Sequence, residues 1–117
     1  MITFDQIKRL MSFDIKKEYC IEIAFSVADS VKFDFCWMGK LPDKETGADV
    51  YWFGLTEDGE NGFDYQTFEE FASAKVFDGR SLFEIWDEVT VLEIDSCEPM
   101  ERLTSYLSAI EGSFGTV

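Results

Sequence analysis

The sequence predicts an α+β domain in which an antiparallel sheet of about four strands is covered on one face by helices. Period-two alternation of apolar residues, or a β-branched and aromatic composition, marks four candidate strands at 19–27, 31–38, 49–55 and 89–95. Capping boxes mark three helix starts, at Thr3–Gln6, Thr67–Glu70 and Ser81–Glu84. The expected element order is α-β-β-β-α-α-β-α, in one domain spanning residues 1–117.

The first helix and the sheet meander come first along the chain. Apolar residues at helical spacing predict an amphipathic helix over residues 4–11. A three-strand meander follows over 19–55, and its first turn, Ala28-Asp29-Ser30, pairs Val27 with Val31. This register places Glu22 opposite Cys36. The loop over 39–47, with two glycines and a proline, leads into the third strand.

The predicted register divides the hairpin side chains between two faces. Helices are expected to cover one face, formed by Ile21, Ile23, Phe25, Phe33 and Phe35. Cys20, Cys36 and Met38 would lie on the other, more polar face. Three cysteines without a C-x-x-C pair are expected to be free thiols in a reducing compartment.

The second half of the chain alternates loops with short elements. Residues 56–62 are polar and glycine-rich, which predicts a loop, and helices are expected over about 68–75 and 82–88. The strand at 89–95 joins the sheet either at an edge or by insertion. A last helix begins at Pro99 and ends at Gly112, followed by a loose tail.

The charge is strongly negative and lies mainly in the second half. The net charge is -14, with nine acidic and seven basic residues over 1–56 but fifteen acidic and three basic residues over 57–117. Such a surface repels nucleic acid and anionic membranes and attracts a basic partner.

No segment is apolar for the roughly 20 residues of a membrane span, and no signal peptide precedes the first helix. We therefore expect a soluble, cytoplasmic, bacterial protein.

Catalytic and metal-binding motifs are sparse. The chain has no histidine, which excludes Ser-His and Cys-His nucleophiles and histidine zinc sites, and it has no phosphate-binding loop. Residues 57–68 fit a calcium loop poorly, because Gly59 and Phe68 stand where oxygen ligands are needed. Glu84, Asp87 and Glu88 share one face of a predicted helix, and carboxylate catalysis there would require one of them to have a raised pKa. We expect no enzyme activity, no cofactor and no metal.

An interaction surface is the remaining candidate site. Aromatic anchors inside a charged rim are typical of protein interfaces. The candidate partner-binding residues are Tyr51, Glu57, Asp58, Glu60, Phe63, Asp64, Tyr65, Glu84, Asp87 and Glu88. The last three would extend the rim only if the fold brings both groups to the same side.

A small, histidine-free, acidic, single-domain α+β chain resembles the immunity proteins that bacteria keep beside their toxins. The resemblance covers size, charge and element order. It implies an inhibitor that docks on a basic toxin surface, such as a nuclease active site. The alternative is a structural or regulatory module that assembles with itself, for example as a homodimer, or with a larger complex through the outer sheet face. It would use Trp52 or Tyr51 and the strip of Cys20, Cys36 and Met38, and its acidity would serve only solubility.

Overall fold

The computed structural model describes residues 2–12, 20–57 and 62–115. The helices are α1 (Phe4–Ser12), α2 (Phe68–Ser73), α3 (Leu82–Ile85), which continues into a 3₁₀ turn (Trp86–Glu88), and α4 (Pro99–Gly115). The strands are β1 (Ile21–Val27), β2 (Cys36–Pro42), β3 (Asp49–Gly54), β4 (Gly62–Tyr65) and β5 (Val89–Ile94). The predicted α+β class is confirmed.

The strands form one open antiparallel sheet in the order β4-β3-β2-β1-β5. The strand predicted at 89–95 is β5, and it lies at an edge, paired with β1. A bulge in β5 at Leu92 shifts this pairing, because Phe25 opposes Val91 while Ala24 opposes Glu93. The sheet therefore has two edges, β4 and β5, on opposite sides of the molecule.

The predicted hairpin register is wrong. β2 begins at Cys36, and Phe25 pairs with Cys36, whereas the predicted turn placed Glu22 there. Residues 28–35 form a wider connection, in which Asp29 has a φ of 56° and the backbone N–H of Val27 donates to the carbonyl of Phe33. Val31 consequently points into solvent, with 90% of its surface exposed.

The register change reverses the faces of β2, because an odd shift moves every side chain across the sheet. Cys36 and Met38, predicted on the outer strip, are fully buried in the core, and Cys20 is exposed before β1. Phe33 is buried as predicted, but Phe35 instead contacts the outward-facing Trp37 at a ring centroid distance of 5.5 Å. All three cysteines are free.

β4 is a strand where no strand was predicted. It has four residues, includes one glycine and one aspartate, and pairs Tyr65 with Tyr51 and Phe63 with Phe53. A segment this short carries too little alternation to be distinguished from a loop, and it is stabilised by pairing with β3. The sheet therefore has five strands rather than four.

The core lies between the sheet and one layer of helices. Every described helix contributes buried side chains to the same cluster, which includes Ile7, Phe71, Ile85 and Leu103. An aromatic group forms its centre, where Phe53 stacks on Phe71 at 4.1 Å and meets Phe77 edge-on at 5.4 Å. This agrees with the prediction that helices cover one face.

The helices that follow capping boxes begin where those boxes predict, whereas α3 and α4 end at other residues than predicted. Ser81 and Glu84 form a reciprocal capping box, and Thr67 caps α2 by accepting from the backbone N–H of Glu70. The helix predicted over 82–88 tightens into a 3₁₀ turn after Ile85, and α4 continues to Gly115 instead of ending at Gly112. None of the helices within the described ranges has the length and apolar character to cross a membrane.

Candidate interaction site

A cleft opens where the start of α1 meets α3 and the 3₁₀ turn. Its volume is about 420 Å³, and its lining residues are Ile2, Thr3, Phe4, Phe83, Trp86 and Asp87. We call it the aromatic–acidic cleft. Phe4 enters it as the first residue of α1, directly after the Thr3 cap. Phe83 and Asp87 are four residues apart in α3 and the following turn, which favours a position on one side.

The aromatic wall of the cleft is built from edge-to-face contacts. The ring of Phe4 lies 5.1 Å from that of Phe83 and 5.6 Å from that of Trp86, with interplanar angles of 78° and 76°. The indole N–H of Trp86 donates to the carbonyl of Ile2 at 3.1 Å, which holds the ring in place. Phe83 nevertheless remains 64% exposed. A large apolar ring at this exposure is available to a partner.

Ion pairs distinguish the three carboxylates predicted near this site. Glu84 accepts from the ammonium of Lys75 at 3.1 Å, and Glu88 accepts from the guanidinium of Arg80 at 2.6 Å. Asp87 is exposed and has no hydrogen bond or ion pair with the residues that the structure describes. Of the three, Asp87 therefore keeps an uncompensated charge, and it is the carboxylate that lines the cleft.

The basic residues of the second half are all used in internal ion pairs. Lys75 and Arg80 neutralise carboxylates beside the cleft, and the guanidinium of Arg102 contacts Asp95 at 3.3 Å. No lysine or arginine lines the cleft itself. The negative field expected from the composition is therefore not cancelled at this position.

The described members of the other candidate group, Tyr51, Glu57, Phe63, Asp64 and Tyr65, lie on or near β3 and β4 and differ in exposure. Tyr51 is buried, with 7% of its surface exposed and its ring 5.9 Å from that of Phe68, so it does not serve as the predicted surface anchor. Tyr65 is half-buried and Phe63 is 38% exposed. Glu57 and Asp64 are exposed, whereas Asp58 and Glu60 lie outside the described residues.

The described members of the two candidate groups lie on different elements, although ring contacts of 5.9 Å link Phe4 of the cleft to Phe68 and Phe68 to Tyr51. The first borders β4, the second precedes β5, and these strands are the opposite edges of the sheet. Four interstrand spacings of about 4.8 Å separate the two edge strands, roughly 19 Å in all. The sequence could not show this, since the position of β5 depended on pairing across the sheet.

Sequence reasoning missed the aromatic wall of the cleft. The capping boxes and the helical spacing predict the helices that carry Phe4, Phe83 and Trp86, but not that the three rings meet. One signal was available: Phe83 precedes Glu84 and stands four residues before Asp87, so it belongs to the wet side of its helix. A single exposed phenylalanine is common on protein surfaces, and Phe83 becomes informative only together with the neighbouring rings of Phe4 and Trp86.

The shifted pKa values of Glu84 and Cys36 have structural causes and do not indicate catalysis. Backbone hydrogen bonding from Ser81, and then Lys75, lowers the pKa of Glu84, which is the opposite of what a general acid needs. Burial, and secondarily the charge of Asp34, raises the pKa of the Cys36 thiol to about 11. Across residues 2–12, 20–57 and 62–115, no three potential ligands are grouped so as to hold a metal ion.

Comparison with protein-family models, with curated proteins and with solved structures found no match to this chain.

Proposed function

We propose that this protein is a non-catalytic binding protein whose partner is a basic protein, of the kind that a toxin-neutralising immunity protein binds. The observation that supports this proposal is the aromatic–acidic cleft, where the unpaired carboxylate of Asp87 lies beside the exposed ring of Phe83. An aromatic anchor next to a carboxylate suits a protein surface with protruding cationic side chains.

The net charge adds long-range attraction to this local site. At -14 for 117 residues, the field steers a positively charged protein toward the molecule and accelerates association at low salt. A toxin that binds nucleic acid has such a positive surface, because it must neutralise phosphates. Occupying that surface with carboxylates would block substrate, which is the inhibitory mode we propose.

The test uses the protein encoded by the adjacent gene, because an immunity protein is encoded beside its toxin. Titration calorimetry at about 0.05 M and about 0.5 M NaCl measures the affinity of the two purified proteins. We expect a complex whose Kd rises with salt. A parallel activity assay of the neighbouring protein tests inhibition. Absence of a complex at low salt would remove the immunity assignment.

Two matched variants locate the contact. Asp87→Asn and Asp64→Asn each remove one exposed charge, but Asp87 lines the cleft whereas Asp64 lies on β4 and does not line it. We expect Asp87→Asn to weaken the complex roughly 3- to 10-fold, and Asp64→Asn to change the affinity less than about 2-fold. Equal effects would show that bulk charge, and not the cleft, determines binding.

A second candidate function is self-association through the outer face of the sheet. The described helices all pack on the opposite face, and this outer face carries Trp37, Trp52 and the 42% exposed Leu41. The buried indole N–H of Trp52 has no acceptor among the described residues. Sedimentation velocity distinguishes the candidates, because a dimer formed through apolar rings would persist at high salt, whereas a charge-dependent complex would not.

A further inference from the structure

We infer that the aromatic–acidic cleft receives a single arginine side chain of the partner, with the guanidinium against the exposed face of Phe83 and the carboxylate of Asp87. This inference rests on the proposed function and specifies the contact at its centre. The occupant is an arginine presented by a folded protein.

The dimensions and walls of the cleft suit one such side chain. The cleft is open to solvent, and its volume of about 420 Å³ leaves room for a long side chain to lie along its aromatic wall. Cations bind within about 6 Å of an aromatic ring centroid, and three rings line this cavity. Trp86 is 7% exposed and anchored by its hydrogen bond to Ile2, so the wall is preorganised and Phe83 provides the accessible surface.

Among the polar side chains that line the cleft, Thr3 and Trp86 already have hydrogen-bond partners, so Asp87 is the group available to a charged ligand. The hydroxyl of Thr3 accepts from the backbone N–H of Gln6 at 3.1 Å, and the indole N–H of Trp86 is already bonded. The carboxylate of Asp87 is the side-chain charge on the lining, and it has no partner in the described chain. The ligand that complements this lining is therefore a cation with an apolar stem.

Arginine fits these walls better than lysine. Its guanidinium is planar, stacks on aromatic faces and is more weakly hydrated than an ammonium, so it loses less hydration when it enters a partly apolar cleft. It also presents parallel N–H donors to a carboxylate. A lysine ammonium is more strongly hydrated, so it would lose more hydration free energy than a guanidinium on reaching the same carboxylate.

The test is an NMR titration of the full chain with Nα-acetyl-arginine amide. The neutral analogue Nα-acetyl-citrulline amide and the lysine analogue serve as matched ligands. We expect saturable shifts of the Trp86 indole and of the Phe83 and Asp87 amides, while the Trp37 and Trp52 indoles on the outer face stay unchanged. Citrulline is expected to cause no saturable shift. Equal shifts with citrulline, or equal affinity for lysine, would overturn the inference.

Variants give a second, independent measurement. Phe83→Leu keeps an apolar side chain beside Phe4 but removes the aromatic face, and we expect it to weaken arginine binding roughly 2- to 5-fold, as for a cation–π contact at an exposed site. Phe63→Leu is the matched control, since Phe63 is also exposed but lies on the edge strand β4 and does not line the cleft. If Phe83→Leu does not fold, the comparison of arginine with citrulline on the unaltered protein still decides the matter.

The outcomes separate this inference from the proposed function. A salt-sensitive complex with the neighbouring protein that is unaffected by Phe83→Leu, together with no arginine binding, would refute the arginine site and leave the function intact. Specific arginine binding without any protein complex would refute the function and support the site.

Discussion

Gly39→Ala is the substitution with the sharpest predicted effect on the fold. Gly39 lies within β2, opposite Glu22 of β1 and Trp52 of β3. A Cβ atom at this position would lie 2.0 Å from the backbone oxygen of Ile21 and 2.9 Å from Cζ2 of Trp52. Both distances are well below the roughly 3.5 Å of a favourable nonbonded contact.

The loss of folding stability caused by Gly39→Ala depends on which of the two neighbouring groups is able to move. The indole of Trp52 has side-chain freedom, but the oxygen of Ile21 belongs to the backbone of a strand paired on both sides. Overpacking that displaces backbone costs about 1–3 kcal/mol and sometimes more. Relief of the glycine entropy penalty offsets about 0.5–1 kcal/mol. We expect a net loss of about 1 kcal/mol, equivalent to a fall in Tm of roughly 4 °C.

Urea denaturation followed by circular dichroism measures this loss. The double variant Gly39→Ala/Trp52→Leu is the informative control, since it removes the 2.9 Å contact and leaves the 2.0 Å contact with the strand backbone. We expect the double variant to recover none of the stability lost by Gly39→Ala. A Gly39→Ala protein as stable as the parent would refute the close approach of β1 and β2 at this position.

Two further predictions concern titratable side chains. At pH 8 a thiol of pKa about 11, as for Cys36, is ionised in about one molecule in a thousand. A thiol reagent should therefore label the exposed Cys20 and Cys97 rapidly and the buried Cys36 only after unfolding. Three equal labelling rates would contradict the burial of Cys36. The pKa of Glu84 is lowered in the folded chain, so its stabilisation is present above the ordinary value of 4.5 and is lost as the pH falls through the folded pKa. Glu84→Gln should therefore destabilise the protein at pH 7 and much less at pH 3 in urea titrations, and a pH-independent difference would contradict this.

Local signals predicted the helix starts because they act within one turn. Thr3, Thr67 and Ser81 each accept a hydrogen bond from the backbone N–H three residues later. That interaction requires no knowledge of the rest of the fold. The ends of α3 and α4 depend on what the next segment packs against, and both differ from the prediction.

The candidate site was predictable in charge but not in position. The composition showed that the second half is acidic, and the residues around 84–88 were identified as its exposed part. Pairing of Lys75 and Arg80 with Glu84 and Glu88, which leaves Asp87 unpaired, depends on contacts across nine and eight residues of folded chain. The aromatic wall also requires α1 to meet α3, about eighty residues apart.

Periodicity, capping and composition act over a few residues, and they were enough to predict the α+β class, the order of most elements and the excess of negative charge. The register of β1 with β2, the existence of β4 and the edge position of β5 depend on pairing and packing between distant segments, so no local pattern could predict them. The same nonlocal packing buries Tyr51, Cys36 and Met38 and brings Phe4, Phe83 and Asp87 to one cleft.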